Sequence, residues 1–328
     1  MLDLSGESVN SITTMAADDD GGFWVWITSL ENARLVHVGR DNTKTEVILP
    51  GEDARVPTEQ PALAVCGDDA WFAAGRSVYH VSGKTVVGQV LIPEATPIPG
   101  VAQMRPVEIR NVSGLNGVAC NGDQAAVTLA NSQEAFVLDG RQHVVSGTVP
   151  IPAGSEAASI AMDGAGAVAI GLQDAVGGTG PHSVLLVSAD QGSSSTLQVQ
   201  DSSRVVMTSA GFRAGDSVIT PAGEVGDADR ASANPAGVVV IAGDRAVRPG
   251  PSGLVVTDSS GAERTLSVGT ISSCASSRSG WIRSGADQQV DQPSGECDIQ
   301  PGLVTGSANS SDVYATVGGS VIVRVAIP

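Results

Sequence analysis

The sequence predicts an all-β protein: a β-propeller of four-stranded antiparallel blades set around a ring. Three observations carry that expectation. Short apolar runs with two-residue alternation recur along the 328 residues, separated by Gly/Asp/Asn turns. The unit repeats at roughly 40–55 residues, the period of blade-built rings. Several copies close on one tail, in which an apolar residue, any residue and a second apolar residue precede proline: VILP at 47–50, VLIP at 90–93 and, with proline inside it, VPIP at 149–152. Seven blades match the spacing best, with six and eight as the neighbouring counts.

The clearest copy runs from Ile12 to Pro50, as SITTMAA, DDDGG, FWVWI, ARLVHVG and TEVILP. Asp18-Asp19-Asp20-Gly21-Gly22 supplies the residue types that tolerate tight turns. It lacks the spacing of a hand-type calcium loop, so a turn is expected there and not a metal. The second copy, Pro61 to Pro93, follows the first almost element by element. The donor-poor connection PEATPIPG (93–100) is too proline-rich for a central strand. A third copy spans about Val107 to Pro152. A fourth spans Ala157 to Gln200, with an insertion at DAVGGTGPH (174–182).

The second half is degenerate. RVVMTSA (204–210) reads as an inner strand, and GDSVIT follows it. Residues 221–237 read as a polar stretch, and GVVVIAGD, SGLVVTD and ERTLSVG as the later strands of a blade. TISSCAS at 270–276 is a candidate opening for another blade, and residues 279–301 form a polar excursion. The last copy, from Gly302, has only three strands. The N-terminal LDLSG is expected to supply the fourth, closing the ring so that no long strand edge stays open.

Composition narrows the partners. The formal charge of −17 and pI near 4.4 oppose nucleic acid and anionic membrane surfaces, both of which select a basic footprint. Solubility is the plain reading of that charge, and a weak cation-binding surface the sharper one. Lys44 and Lys84 are the only lysines, and the Ala/Gly/Val richness suggests a high-GC bacterial source. No apolar run reaches 18 residues, and MLDLSGES lacks the basic start and apolar middle of a signal peptide. Residues 1–328 are expected to form a single propeller domain, monomeric in isolation, of an extracytoplasmic protein whose targeting or anchoring segment lies outside this sequence.

The cysteines support that compartment. Cys66 (ALAVCGDD) and Cys120 (GVACNGD) occupy the same repeat position, the end of an inner strand. A Cys66–Cys120 bridge between adjacent blades is expected, provided the Cα atoms come within about 7 Å. Cys274 and Cys297 flank the polar excursion and are expected to close it as a loop of about 20 residues. Free thiols and zinc are the competing readings, but no C-x₂-C pair or nearby histidine supports zinc. Two disulfides point to an oxidising compartment.

The chemistry-bearing residues are few. His37 (LVHVG) and His80 (VYHVSG) share a third-strand position, and Trp24 and Trp71 share a second-strand position. Repetition at equivalent sites favours packing over catalysis. Trp26 lies on the same face as Trp24. His182, in the insertion, and Trp281, in the polar excursion, are the candidate binding residues; His143 completes the four histidines that are the candidates for catalysis. Ser188 to Ser194 matches the S-x-D-x-G-x-[ST] Asp-box of sialidase-type propellers, where the box is a hairpin turn; Ser195 stands where the usual aromatic belongs. Neither G-x-S-x-G nor a phosphate-cradling G-x-x-x-x-G-K-[ST] occurs. Asn111 and Asn309 begin glycosylation sequons.

The D-G-G-F-W-V turn and strand at 20–25, with the repeated tail, resembles bacterial extracytoplasmic propellers of the NHL/streptogramin-lyase-like type. It also resembles the propeller regions of large actinobacterial surface proteins that carry fibronectin type III or Ig-like repeats. The lyase resemblance implies a metal and a catalytic histidine, and no residues here match them. The expected function is therefore a non-catalytic binding or scaffold module with no cofactor and no metal, meeting a protein or cell-wall glycan through loops on one face. The alternatives are a lyase or glycan hydrolase with a site at the central channel, and a ligand-sensing ectodomain of a membrane receptor.

Overall fold

The computed structural model describes residues 2–3, 11–28, 33–50, 62–99, 115–175, 182–199, 204–208, 211–215, 217–227, 240–242, 245–250, 253–258, 262–268, 270–271, 297–298, 304–306, 311–317 and 321–327. These residues form seven four-stranded antiparallel sheets and one two-stranded ribbon. Blade 1 comprises Ser11–Ala17, Phe23–Thr28, Ala33–Val38 and Lys44–Val47, from the inner strand outward. Blade 2 comprises Ala62–Cys66, Asp69–Ala74, Ser77–Ser82 and Thr85–Leu91. Blade 3 comprises Leu115–Cys120, Gln124–Leu129, Glu134–Asp139 and Val144–Pro150. Blade 4 comprises Ser155–Met162, Val168–Asp174, Ser183–Val187 and Ser194–Gln198.

Alternation builds the ring, because each central strand faces two neighbours. In Phe23–Thr28, Trp24 and Trp26 pack toward blade 2 while Phe23, Val25 and Ile27 pack toward blade 7. The shared tails obey the same rule. Val47 and Leu49 are buried and the intervening Ile48 is 79% exposed; Val90 and Ile92 are buried around an exposed Leu91.

Blade 7 comprises Val304–Gly306, Asp312–Val317 and Val321–Ala326, and its outermost strand is Leu2–Asp3, as expected. Leu2 pairs with Ile322 and Asp3 with Val321. The closing seam is tied further in. Thr305 Oγ1 accepts the Ala17 amide at 2.9 Å. The Phe23 and Tyr314 rings lie 4.6 Å apart, and the Tyr314 hydroxyl donates to the Gly21 carbonyl.

The second half corrects the sequence reading. Blade 5 comprises Val205–Thr208, Gly211–Ala214, Ser217–Ile219 and Val225–Asp227, so the stretch 221–237 contains an outer strand. Blade 6 comprises Val240–Ala242, Arg245–Gly250, Gly253–Thr257 and Glu263–Leu266. GVVVIAGD therefore supplies the inner strand of that blade, not a later one. Thr270–Ile271 opens no blade: it pairs with Cys297–Asp298, placing a short strand inside the polar excursion. Pro249 sits in the second strand of blade 6, opposite Leu254 of the third.

Apolar clusters bridge six of the seven seams between blades. Among the described residues none bridges blades 5 and 6. Arg213 alternates with Phe212 and Ala214, which belong to the blade 4–5 cluster, and so points toward blade 6. Arg248 alternates with Val247, a member of the blade 6–7 cluster, and so points toward blade 5. Arg213 Nε donates to the Gly215 carbonyl at 2.9 Å, and Arg248 pairs with Glu263 at 3.2 Å.

Candidate functional site: the loop face of the ring

Antiparallel blades sort their connections onto two faces. The turns joining first to second and third to fourth strands open on one face, and there they are short. Examples are 67–68, 121–123, 140–143 and 188–193. The links from second to third strand and from each outer strand to the next blade leave on the other face. That face anchors the long links 48–61, 92–114, 228–239 and 267–303, together with the insertion 175–182. Loops held by a rigid scaffold are where binding surfaces are built.

His182 stands at the end of the insertion, half-buried, and its carbonyl accepts the Val199 amide at 3.0 Å. It thus lies where the insertion rejoins blade 4, on the loop face. Trp281 lies outside the described residues, as does Cys274; of Cys297 only the strand backbone is described. The predicted Cys66–Cys120 bridge is present, with Cα atoms 6.0 Å apart. It joins two inner-strand ends on the short-turn face and staples blade 2 to blade 3.

The two repeated Trp–His sites lie within seams, as their repetition implied. In blade 1 the Trp24 and His37 rings are 4.8 Å apart. His37 Nε2 donates to Asp18 Oδ2 at 2.8 Å, and the Gly22 amide donates to Asp18 Oδ1 at 2.6 Å. Burial on its own pushes the Asp18 carboxyl up. The hydrogen bonds from His37 and Gly22 outweigh it and hold the group below its ordinary value. In blade 2 His80 lies flat on Trp71, centroids 4.3 Å apart, and the Trp71 indole N–H donates to the Gly122 carbonyl of blade 3. Asp69 Oδ1 is 3.6 Å from His80 Nε2, beyond hydrogen-bond range.

A device that the sequence reading missed lies beside these sites. The turn before each outer strand holds a non-glycine residue at positive φ: Asn42, Lys84, His143 and Gln191 in blades 1 to 4. His143 lies on the outer strand of blade 2, where a Cβ on Gly88 would fall 1.7 Å from its ring. Gln191 lies in the same way on Gly147 of blade 3. Both glycines stand five residues before the tail proline, Pro93 and Pro152. That shared offset was the available signal.

The Asp-box segment is turn chemistry, as expected. Ser188 Oγ donates to Asp190 Oδ1 at 2.6 Å, the Gly192 amide donates to the same oxygen, and Ser188 Oγ accepts the Ser193 amide. Among the described residues no group of three His, Cys, Asp or Glu side chains could hold a metal ion, and no helix is long and apolar enough to cross a membrane.

The ring of seven four-stranded blades defines the chain as a β-propeller. It is similar in fold to hydrazine synthase of Kuenenia stuttgartiensis, at 15% identity over 98% of this chain and 97% of that one, with a TM-score of 0.58. It is also similar to a streptogramin B lyase, at 15% identity over 97% and 93% of the two chains and the same TM-score. A third likeness, at 12% identity over 98% and 89%, is to a chain of the mitotic checkpoint complex, with a TM-score of 0.57. No family model and no curated protein matches the chain.

Proposed function

We propose that this propeller is a non-catalytic binding or scaffold module that engages an extracytoplasmic protein or cell-wall glycan through its loop face. One observation carries the reading: the long links all anchor on the face that also bears His182, while the opposite turns are short. The conspicuous aromatic and imidazole groups of blades 1 and 2 are spent on seams between blades. The Cys66–Cys120 bridge supports an oxidising compartment, and the acidic surface supports a partner that is neither nucleic acid nor anionic lipid. A chain of this kind is at home in a bacterial surface protein, as one propeller domain spanning residues 1–328.

The test compares two loop-face variants with one from the opposite face. Residues 175–181 are replaced by a short Gly-Ser turn in one, and Trp281→Ala is made in another. The control replaces residues 189–192 on the short-turn face. Each protein is passed over purified peptidoglycan and over an envelope-protein extract, with thermal melting as the fold check. Retention is expected to fall for at least one loop-face variant and to survive in the control. Retention lost only in the control, or chemical turnover of an offered glycan by the wild type, overturns the reading.

A further inference from the structure

We propose that the contact between His80 of blade 2 and His143 of blade 3 is an acid-released latch on the short-turn face of the ring. The two imidazole centroids are 5.9 Å apart, inclined at 48°. His80 is 5% exposed. Neither of its ring nitrogens has a hydrogen-bond partner, and His143 Nε2 is likewise buried without one. Buried polar atoms are ordinarily paired, so this cluster is an exception that calls for a reason.

The charges facing the pair are few and mostly committed. On blade 2, Asp69 approaches His80 at 3.6 Å. Lys84, at the neighbouring turn, faces Asp41 of blade 1. On blade 3, Asp139 accepts the amides of Arg141 and Gln142, and Arg141 is paired with Asp123. Below His80 lies the Trp71 ring, whose N–H is given to Gly122. Asp69 can therefore balance one imidazolium. Charge on both rings places two like charges side by side, and their repulsion adds to the cost of burying charge.

What gives way follows from what is fastened. The disulfide holds the inner strands of blades 2 and 3 together, and the Arg141–Asp123 pair holds the 140–143 turn to its own blade. His143 itself is held on blade 2 by the notch that Gly88 leaves open. Acid releases the turn as a unit and uncovers that notch. Blade 1 shows the opposite arrangement at the same repeat position. There His37 Nε2 is bonded to Asp18 at 2.8 Å, and among the described residues no second imidazole faces its ring.

Hydrogen exchange at pH 7.5 and pH 5.0, corrected for intrinsic rates, tests the latch. In the intact protein, peptides covering 139–147 are expected to lose protection about tenfold at pH 5.0, the scale of one lost charge-sensitive contact. Peptides from Gln124–Leu129 should be unchanged. In His143→Gln the loss should vanish, because blade 4 already seats Gln191 on Gly147 in this way. His143→Asn, which favours the same positive φ, is the second variant should the first misfold. Equal protection of 139–147 at both pH values in the wild type overturns the proposal. So does an equal loss in the substituted proteins.

Discussion

The Asp18 carboxylate accepts the Nε2–H of His37 at 2.8 Å, joining the turn after the first strand of blade 1 to its third strand. The carboxyl is held below its ordinary value although burial opposes this, because His37 and the Gly22 amide bind its charged form. A lowered carboxyl pKa contributes stability that is fully present above the unfolded value, about pH 4. It is lost as pH falls through the lower folded value. Asp18→Asn is therefore expected to destabilise the protein by about 2 kcal/mol near neutrality, the scale of a buried polar group left short of its partner. The gap between wild type and variant should stay constant from pH 7 to pH 5 and close below pH 4. Urea midpoints measured across that range check both statements; a gap that widens in acid contradicts them.

The Cys66–Cys120 bridge closes a sequence separation of 54 residues. Chain entropy values such a closure at about 4 kcal/mol. The Cys66→Ala/Cys120→Ala double variant is expected to lose stability on that scale in chemical denaturation. The second bridge is expected from strand pairing: Ile271 pairs with Cys297, and Cys274 follows three residues later. Non-reducing peptide mapping should recover a Cys66–Cys120 peptide and a separate Cys274–Cys297 peptide. Alkylation of Cys274 or Cys297 in the unreduced protein would contradict the second.

Blades 1 to 4 were legible in the sequence because their first three strands run five to eight residues and their turns repeat. Blade 5 has strands of three or four residues, too short for a period to register. Its outer strand, Val225–Gly226–Asp227, has little apolar content. Arg213 interrupts the apolar run of its second strand, and Arg245, Arg248 and Pro249 disguise that of blade 6. The packing role of Trp24, Trp71, His37 and His80 followed from their repetition. The seating of His143 on Gly88 did not, because that contact joins two blades and depends on the backbone angle of one turn residue.

The seam between blades 5 and 6 should be the first to open. Arg213 and Arg248 face it where the other seams have apolar clusters. Local opening energies follow the density of buried apolar contacts. Native-state hydrogen exchange is expected to show amides of Gly211–Ala214 and Gly253–Thr257 exchanging ahead of the second and third strands of blades 1 to 4. Uniform protection around the ring would contradict this order.

The ring closes on a short pairing. Leu2 and Asp3 pair with Ile322 and Val321, whereas every residue of Ser77–Ser82 in blade 2 has an outer partner. Continuing the antiparallel register upstream of Leu2 runs along Val323 to Ala326, where no outer partner pairs among the described residues. Val323 and Val325 are only partly buried there. Leu2 and Asp3 are therefore the paired part of the closure: Leu2→Pro removes a ladder donor and should lower stability by about 1 kcal/mol and hasten exchange at Val321–Ala326. Leu2→Val keeps the donor and a strand-favouring side chain and should leave both unchanged. Thermal melts and hydrogen exchange of the two variants check this, and equal behaviour of both would show that this pairing does not hold the ring closed.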